Sequence, residues 1–289
     1  MKPYRVPEIA RKYFQYDMIQ NHTQLPEFPD ARVHLLYIFL QNSGRSVSER
    51  DELYALVTSL VQVGLDTHES IDTSAGNQGE TQMRSRQLKV LAGDYFSSRF
   101  YYLLAQNGDI EGISLLSKAV SDVNVLKMNL YGKMKNMVLS AEEYLRHTVQ
   151  LNMQLFLSFT PMIESSVRET WKTLLREFTQ CETVVREAHR SGCPEEVRNG
   201  YSYWYMLERG SEEEKRMLTA KKIDPKDLKK LMLKHKAVDS LMDKLRQSVG
   251  SIQTLLPVFN GEVTAAQMGQ LLDPFIHRLS SCRSAVREG

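Results

Sequence analysis

LVTSLVQVGLDTHESID, residues 56–72, and RSRQLKVLAGDYFSSRFYYLLA, residues 84–105, are the two stretches that decide how this chain folds. Around the first, Leu53, Leu56, Val57, Leu60, Val61, Gly64 and Leu65 recur at three- and four-residue intervals, the apolar stripe of an amphipathic helix. Ser46 followed by Glu49 supplies a capping box ahead of it. In the second, Gly93 sits among Leu88, Leu91, Ala92, Phe96 and Leu103. A helix with no β-carbon at that point lets a neighbour approach closely, and Asp94 beside it can accept a hydrogen bond.

Working outward, the same signals recur. Ser140 and Glu143 form a capping box before Leu145, Leu151, Leu155 and Phe156, and Asp224 with Pro225 places a cap and an N1 proline before Leu228, Leu231 and Met232. Gly108, Gly192, Gly210 and Gly261 fall where a left-handed residue would end a helix. No alternating run of β-branched and aromatic residues is bounded by a hairpin dipeptide, so the pattern predicts an all-α protein of at least eight helices. Thr73 to Gln82, TSAGNQGETQ, reads as a loop, and Arg209 to Lys222 as a charged break. After the break, a long helix from Asp224 and a final one from Thr264 to about Ala285 would form a helical hairpin. The expected organisation is a helical bundle over residues 1–209, with C-terminal helices over 210–289 packed on the same domain.

Composition narrows the function. The formal net charge is +2, and the most basic stretch, Lys221 to Lys236, also carries Asp224 and Asp227 and has no interleaved aromatics. A solvated helix face accounts for it better than nucleic-acid binding. No apolar run approaches the roughly 18 residues of a membrane span, and the N-terminus lacks the apolar core of a signal peptide, so a cytoplasmic protein is expected. Cys181, Cys193 and Cys282 are odd in number and without CxxC spacing, which suggests neither a disulfide framework nor zinc. His34, His147, His189 and His277 have no second ligand at a recognisable spacing, and no nucleophile elbow or phosphate-cradling glycine loop occurs. Glu142 with Glu143, and Glu212 to Glu214, look like first-turn residues complementing helix dipoles.

Leu91-Ala92-Gly93-Asp94 resembles the LAGD helix of trans-prenyl diphosphate synthases, an apolar helix that runs beside the active-site cavity. With Asp66-Thr67-His68 and GDYFSSRFYYLLA, the two stretches together look like the component I family of heptaprenyl diphosphate synthases. The resemblance is strongest from about Leu35 to Ala105, weaker to about Arg209, and absent beyond Asp224. It implies an isoprenoid-synthase-like helical bundle whose signature helix carries Leu91, Ala92, Gly93, Asp94 and Tyr95.

Catalytic members of the wider family hold magnesium with two DDxxD motifs, because ionising an allylic diphosphate needs the leaving group neutralised by hard cations and basic side chains. Here no two aspartates are adjacent, and His68, Glu69, Ser70, Ile71 and Asp72 stand where the first motif belongs. The diphosphate-binding arginine pair and the N-terminal lysine and arginine of active relatives are also missing. Asp66, His68, Glu69 and Asp72 therefore form a degenerate aspartate-rich region, read as a remnant, as part of an interface, or as the polar C-terminal end of a helix entering a loop. Glu69 and Asp72, at i and i+3, could still share a face.

The resemblance implies no catalytic residue, metal or cofactor in this chain. It implies a heterodimer with a catalytic subunit bearing DDxxD motifs, magnesium and the prenyl diphosphate substrate, making the heptaprenyl chain used for menaquinone. Tyr95, Phe96, Phe100, Tyr101 and Tyr102 read as core and rim aromatics rather than as a lining of the product tunnel, and in a heterodimer some of them would sit at the subunit contact. A helical adaptor without prenyl chemistry, and a self-sufficient synthase with an unusual metal site, remain as other readings.

Overall fold

Leu, Met, Gln, Glu, Lys and Arg lose little rotamer freedom in a helix, and they fill the long segments of this chain. The computed structural model describes residues 3–42, 49–71, 79–194, 196–220, 223–258 and 262–287. Thirteen α-helices form among them: α1 (Val6–Phe14), α2 (Asp17–His22), α3 (Asp30–Gln41), α4 (Glu49–Glu69), α5 (Glu80–Gln106), α6 (Ile110–Lys135), α7 (Ala141–Leu157), α8 (Arg168–Ser191), α9 (Tyr201–Arg209), α10 (Glu212–Thr219), α11 (Pro225–His235), α12 (Ala237–Leu255) and α13 (Glu262–Arg287). No strand occurs among the described residues. They divide into two compact units, one within residues 1–121 and 155–171, the other within 122–154 and 172–289.

In the first unit α3, DARVHLLYIFLQ, is apolar nearly all round, and Ala31 through Gln41 are all buried. A helix of that kind belongs at the centre of a core. It packs on α4, which in turn packs on α1 and, most extensively, on α5. Two ring contacts bring later segments onto this core: Phe39 with Trp171 at 5.2 Å and Tyr54 with Phe159 at 5.4 Å. Tyr54 also donates to Asp109 Oδ2 at 2.6 Å, while Asp109 Oδ1 accepts from the Gly112 N–H at the start of α6. One carboxylate thus caps a helix and ties it to α4.

The stripe read over residues 53–65 lies inside the longer α4, and its proposed cap Ser46 lies outside the described residues. Of the loop read over Thr73 to Gln82, residues 73–78 lie outside the described residues, and residues 80–82 are not loop. Gly79 is the N-cap of α5 and residues 80–82 are already helical, Glu and Gln being good helix formers without any apolar anchor.

In the second unit both expected starts are present. Ser140 and Glu143 exchange the two bonds of a capping box, and Asp224 accepts the Lys226 N–H at 2.7 Å with Pro225 at N1. Ser211 and Glu214 form a further box at α10. Gly108 is left-handed at φ 65; Gly192 and Gly210 follow the ends of α8 and α9 without taking that conformation, Gly210 being extended at φ −72, and Gly261 lies outside the described residues. The long helix expected from Asp224 is in fact two, because Lys236 takes a left-handed conformation, φ 53, and parts α11 from α12. The turn lets both halves bury their own stripes, Leu228 with Leu231, and Leu241 with Leu245. The C-terminal hairpin is formed by α12 and α13. Residues on both sides of 209/210 belong to this unit, where α9 packs on α10, α11 and α12.

Among the described residues no helix is long and apolar enough to cross a membrane. Cys181 is buried and Cys193 half-buried, both as free thiols.

Candidate functional site

The two diagnostic stretches meet face to face where α4 crosses α5. A β-carbon on Gly64 would fall 2.8 Å from the Ser97 backbone nitrogen and 2.9 Å from the Gly93 carbonyl oxygen. The backbones are in contact, as only a glycine permits. One turn further along α4, the His68 ring lies over Gly93, and a β-carbon there would meet its Cε1 and Nε2 at 2.6 Å. His68 Nε2 also stands 3.3 Å from Asp94 Oδ1, with the imidazole one-third exposed and the carboxylate mostly exposed.

The rest of the degenerate region points elsewhere. Asp66 is buried and accepts from Gln62 Nε2 at 2.9 Å. Thr67 bonds the Val63 carbonyl, Glu69 is exposed, and Asp72 lies outside the described residues. Lys89 Nζ on α5 donates to the Ser70 carbonyl at 3.1 Å, placing a cation at the C-terminal end of α4 where the helix dipole favours one.

Asp66 turned inward, an imidazole in place of a carboxylate, and Asp94 facing that imidazole do not make an oxygen cage for magnesium. No group of three or more His, Cys, Asp and Glu that could hold a metal occurs among the described residues. In the second unit Glu187 is a buried carboxylate that sequence reading passed over. It accepts from the Tyr144 hydroxyl at 2.9 Å and the Tyr201 N–H at 2.7 Å, with Arg190 at 3.5 Å. Those bonds make it a structural clamp joining α7, α8 and α9.

Along α5 the signature residues divide between two environments. Ala92 and Gly93 are buried, whereas Leu91 is 63% exposed and Asp94 faces solvent. Tyr95 lies edge-on to Tyr16 at 5.2 Å, and burial, with the hydrogen bond to Tyr16, pushes its hydroxyl up to about 12. Phe96 and Phe100 are core, while Tyr101 and Tyr102 are about half exposed.

Arg99 was not singled out from the sequence. Its guanidinium lies 5.3 Å from the Tyr13 ring centroid, 5.4 Å from Tyr95 and 4.9 Å from Tyr102, three cation–π contacts that pin α1 to α5. The signal was present in the spacing, since Tyr95 and Tyr102 flank Arg99 at i−4 and i+3.

Two of the histidines read as lacking a second metal ligand, His34 and His147, make local contacts to groups that are not metal ligands. His34 stacks on Tyr4 at 3.8 Å, and burial lowers its pKa. His147 accepts from Lys133 at 2.8 Å, and burial followed by the Lys133 and Arg146 charges lowers it too. Both imidazoles are held toward the neutral form.

The helical fold resembles that of polyprenyl diphosphate synthases of known structure. The solved polyprenyl synthase of Caulobacter crescentus, in complex with calcium and isoprenyl diphosphate, superposes with a TM-score of 0.71 over 94% of this chain and 93% of that one, at 11% identity. Heptaprenyl diphosphate synthase of Staphylococcus aureus does so at 0.67 over 94% and 95%, with 12% identity, and decaprenyl diphosphate synthase of Rhodobacter capsulatus at 0.66 over 94% of each, with 13% identity. At such identities the likeness is one of fold.

Sequence carries the assignment further. The chain belongs to the family of heptaprenyl diphosphate synthase subunit 1, whose model matches residues 16–199. Heptaprenyl diphosphate synthase component 1 of Geobacillus stearothermophilus is 42% identical over 74 residues, a stretch covering 26% of this chain and 31% of that protein.

Proposed function

We propose that this chain is the non-catalytic subunit of a heteromeric heptaprenyl diphosphate synthase, in which a partner bearing DDxxD motifs and magnesium condenses farnesyl diphosphate with isopentenyl diphosphate units for the menaquinone side chain. One observation carries the reading: in a bundle of the polyprenyl synthase kind, the end of α4 offers a buried Asp66 and a His68 turned onto Gly93 and Asp94 instead of converging carboxylates. Diphosphate ionisation needs a hard cation, and these groups would not hold one. The role left to the chain is to complete the fold of the pair and shape the cavity in which the product lengthens. The cytoplasm, where both diphosphate substrates are soluble, suits that role.

The exposed side of α5 supports a partner. Leu91, Tyr101 and Tyr102 stand in solvent on one helix, and aromatic anchors of this kind are enriched in subunit contacts. The deciding experiment is synthesis from farnesyl and labelled isopentenyl diphosphate with magnesium, using this chain, the catalytic subunit from the same source, and both mixed. Long-chain product from the mixture alone is the expected result. Product from this chain alone, or a mixture that behaves as the catalytic subunit does by itself, overturns the reading.

A further inference from the structure

From Val123 to Ala141 the sequence contains three lysines, Lys127, Lys133 and Lys135, and no acidic residue. This is the second half of α6 and the turn into α7, all within the second unit. Large apolar side chains stand out along it: Val125 is 57% exposed, Met128 69%, Tyr131 62%, Met137 46% and Val138 70%. Isolated exposed apolar residues need no account, but five within fourteen positions of one segment do.

The turn itself holds its apolar residues outward. The Val138 N–H donates to the Lys133 carbonyl and the Met137 N–H to the Met134 carbonyl, both at 3.1 Å, which is the paired closure of a Schellman motif. The left-handed position of that motif normally takes glycine; here it is Met137, at φ 55. The residue after it usually packs back on the helix, whereas Val138 is the most exposed of the five. A backbone conformation disfavoured for methionine thus presents two adjacent apolar side chains to solvent, with Lys133 and Lys135 one turn behind them. The carboxylates at the start of α7 are engaged: Glu142 with Lys244, Glu143 with Ser140 and Arg146, and Glu208 with the Ala141 N–H.

We propose that the turn joining α6 to α7 seats this chain on the surface of an anionic lipid bilayer, Met137 and Val138 entering the interfacial layer, with Lys135, and Lys133 through the N–H bonds its contact with His147 leaves over, meeting lipid phosphates. Lysine is depleted in protein–protein contacts but favoured beside anionic bilayers, where its stem lies along apolar surface and its ammonium reaches the headgroups. Tyr131 adds the amphipathic aromatic ring that settles at headgroup level. With no spanning helix among the described residues, attachment is interfacial and reversible. The inference does not depend on the proposed subunit role.

The test is sedimentation of the full chain with vesicles of phosphatidylcholine, with and without phosphatidylglycerol. Binding should appear with phosphatidylglycerol and weaken with salt, and each of Lys133→Gln and Lys135→Gln should lower partitioning about fivefold. Met137→Gly combined with Val138→Ser eases the left-handed position while removing the apolar tip; this variant should melt as the wild type does and stay in the supernatant. A wild-type chain that does not sediment with anionic vesicles overturns the proposal. So does undiminished vesicle binding by the Met137→Gly, Val138→Ser variant, and if that variant instead loses its pairing with the catalytic subunit, the tip is a protein contact.

Discussion

The imidazole of His68 occupies the space in which Gly93 has no side chain, its Cε1 and Nε2 lying 2.6 Å from where a β-carbon would stand. The same α4–α5 crossing contains a second contact of a different kind. At Gly64 the obstacle to a β-carbon is the α5 backbone, the Ser97 nitrogen and the Gly93 carbonyl oxygen. A ring one-third exposed can rotate aside, whereas two packed helices separate only by losing contacts along their length.

Gly64→Ala should therefore destabilise the chain more than Gly93→Ala, by about 1–3 kcal/mol against less than about 1 kcal/mol, while Gly93→Leu, too large for a ring flip to accommodate, should also cost about 1–3 kcal/mol. Urea denaturation of the three variants reads the order directly. Adding His68→Ala to Gly93→Ala should recover most of the smaller loss, and a double variant no better than Gly93→Ala would mean that the ring is not the obstacle.

His68→Ala alone removes a filler and a 3.3 Å pairing with an exposed carboxylate, neither of which touches a metal cage. In the mixed synthase, turnover should stay within a fewfold of wild type. A collapse in turnover with the two subunits still co-eluting would assign the imidazole a part in the chemistry.

Glu214 sits between Lys234 Nζ at 2.6 Å and His235 Nε2 at 3.2 Å and accepts the Ser211 N–H at 2.9 Å. The Lys234 bond first, then the Ser211 N–H and His235, hold its carboxyl down to about 2 from its ordinary 4.5. A depressed folded pKa contributes stability that is complete above 4.5 and is lost as pH falls from there through about 2. Glu214→Gln keeps an acceptor for the cap and abolishes the titration, so its melting temperature should decline less steeply between those pH values than that of the wild type. Parallel declines would show that the pairing does not persist in solution.

Glu187→Ala should be among the most damaging substitutions in the second unit. It leaves the Tyr144 hydroxyl and the Tyr201 N–H without their acceptor, while Arg190 keeps its bonds to the Glu196 and Arg198 carbonyls, a loss of about 2–6 kcal/mol at about 1–3 kcal/mol for each buried donor left unsatisfied. Thermal unfolding of this variant beside Glu182→Ala, on the same helix, separates the clamp from a general effect of removing a glutamate.

Local chemistry in the sequence was enough to define the fold class and several helix ends. The capping pairs at Ser140 and Asp224 and the left-handed Gly108 depend on residues within one turn of each other, so spacing alone exposes them. The Ser211–Glu214 box was equally local, but it lay in a run of charge that masked it. The division of the long C-terminal helix at Lys236 has no such signal, because lysine is an ordinary helix former; packing of both α11 and α12 decides it.

For the candidate site, the sequence by itself determined the inventory: a glycine on an apolar helix, an imidazole where a carboxylate would serve a metal, and no adjacent aspartates anywhere. Only the tertiary structure decided what those residues do to one another. Leu91 faces solvent and Ala92 the core, Asp66 turns to Gln62, and His68 closes over Gly93, because each orientation follows from where α4 meets α5. Periodicity gives a helix a face, but which neighbour that face meets, and how closely, is settled by two backbones packing at a contact that no single helix encodes.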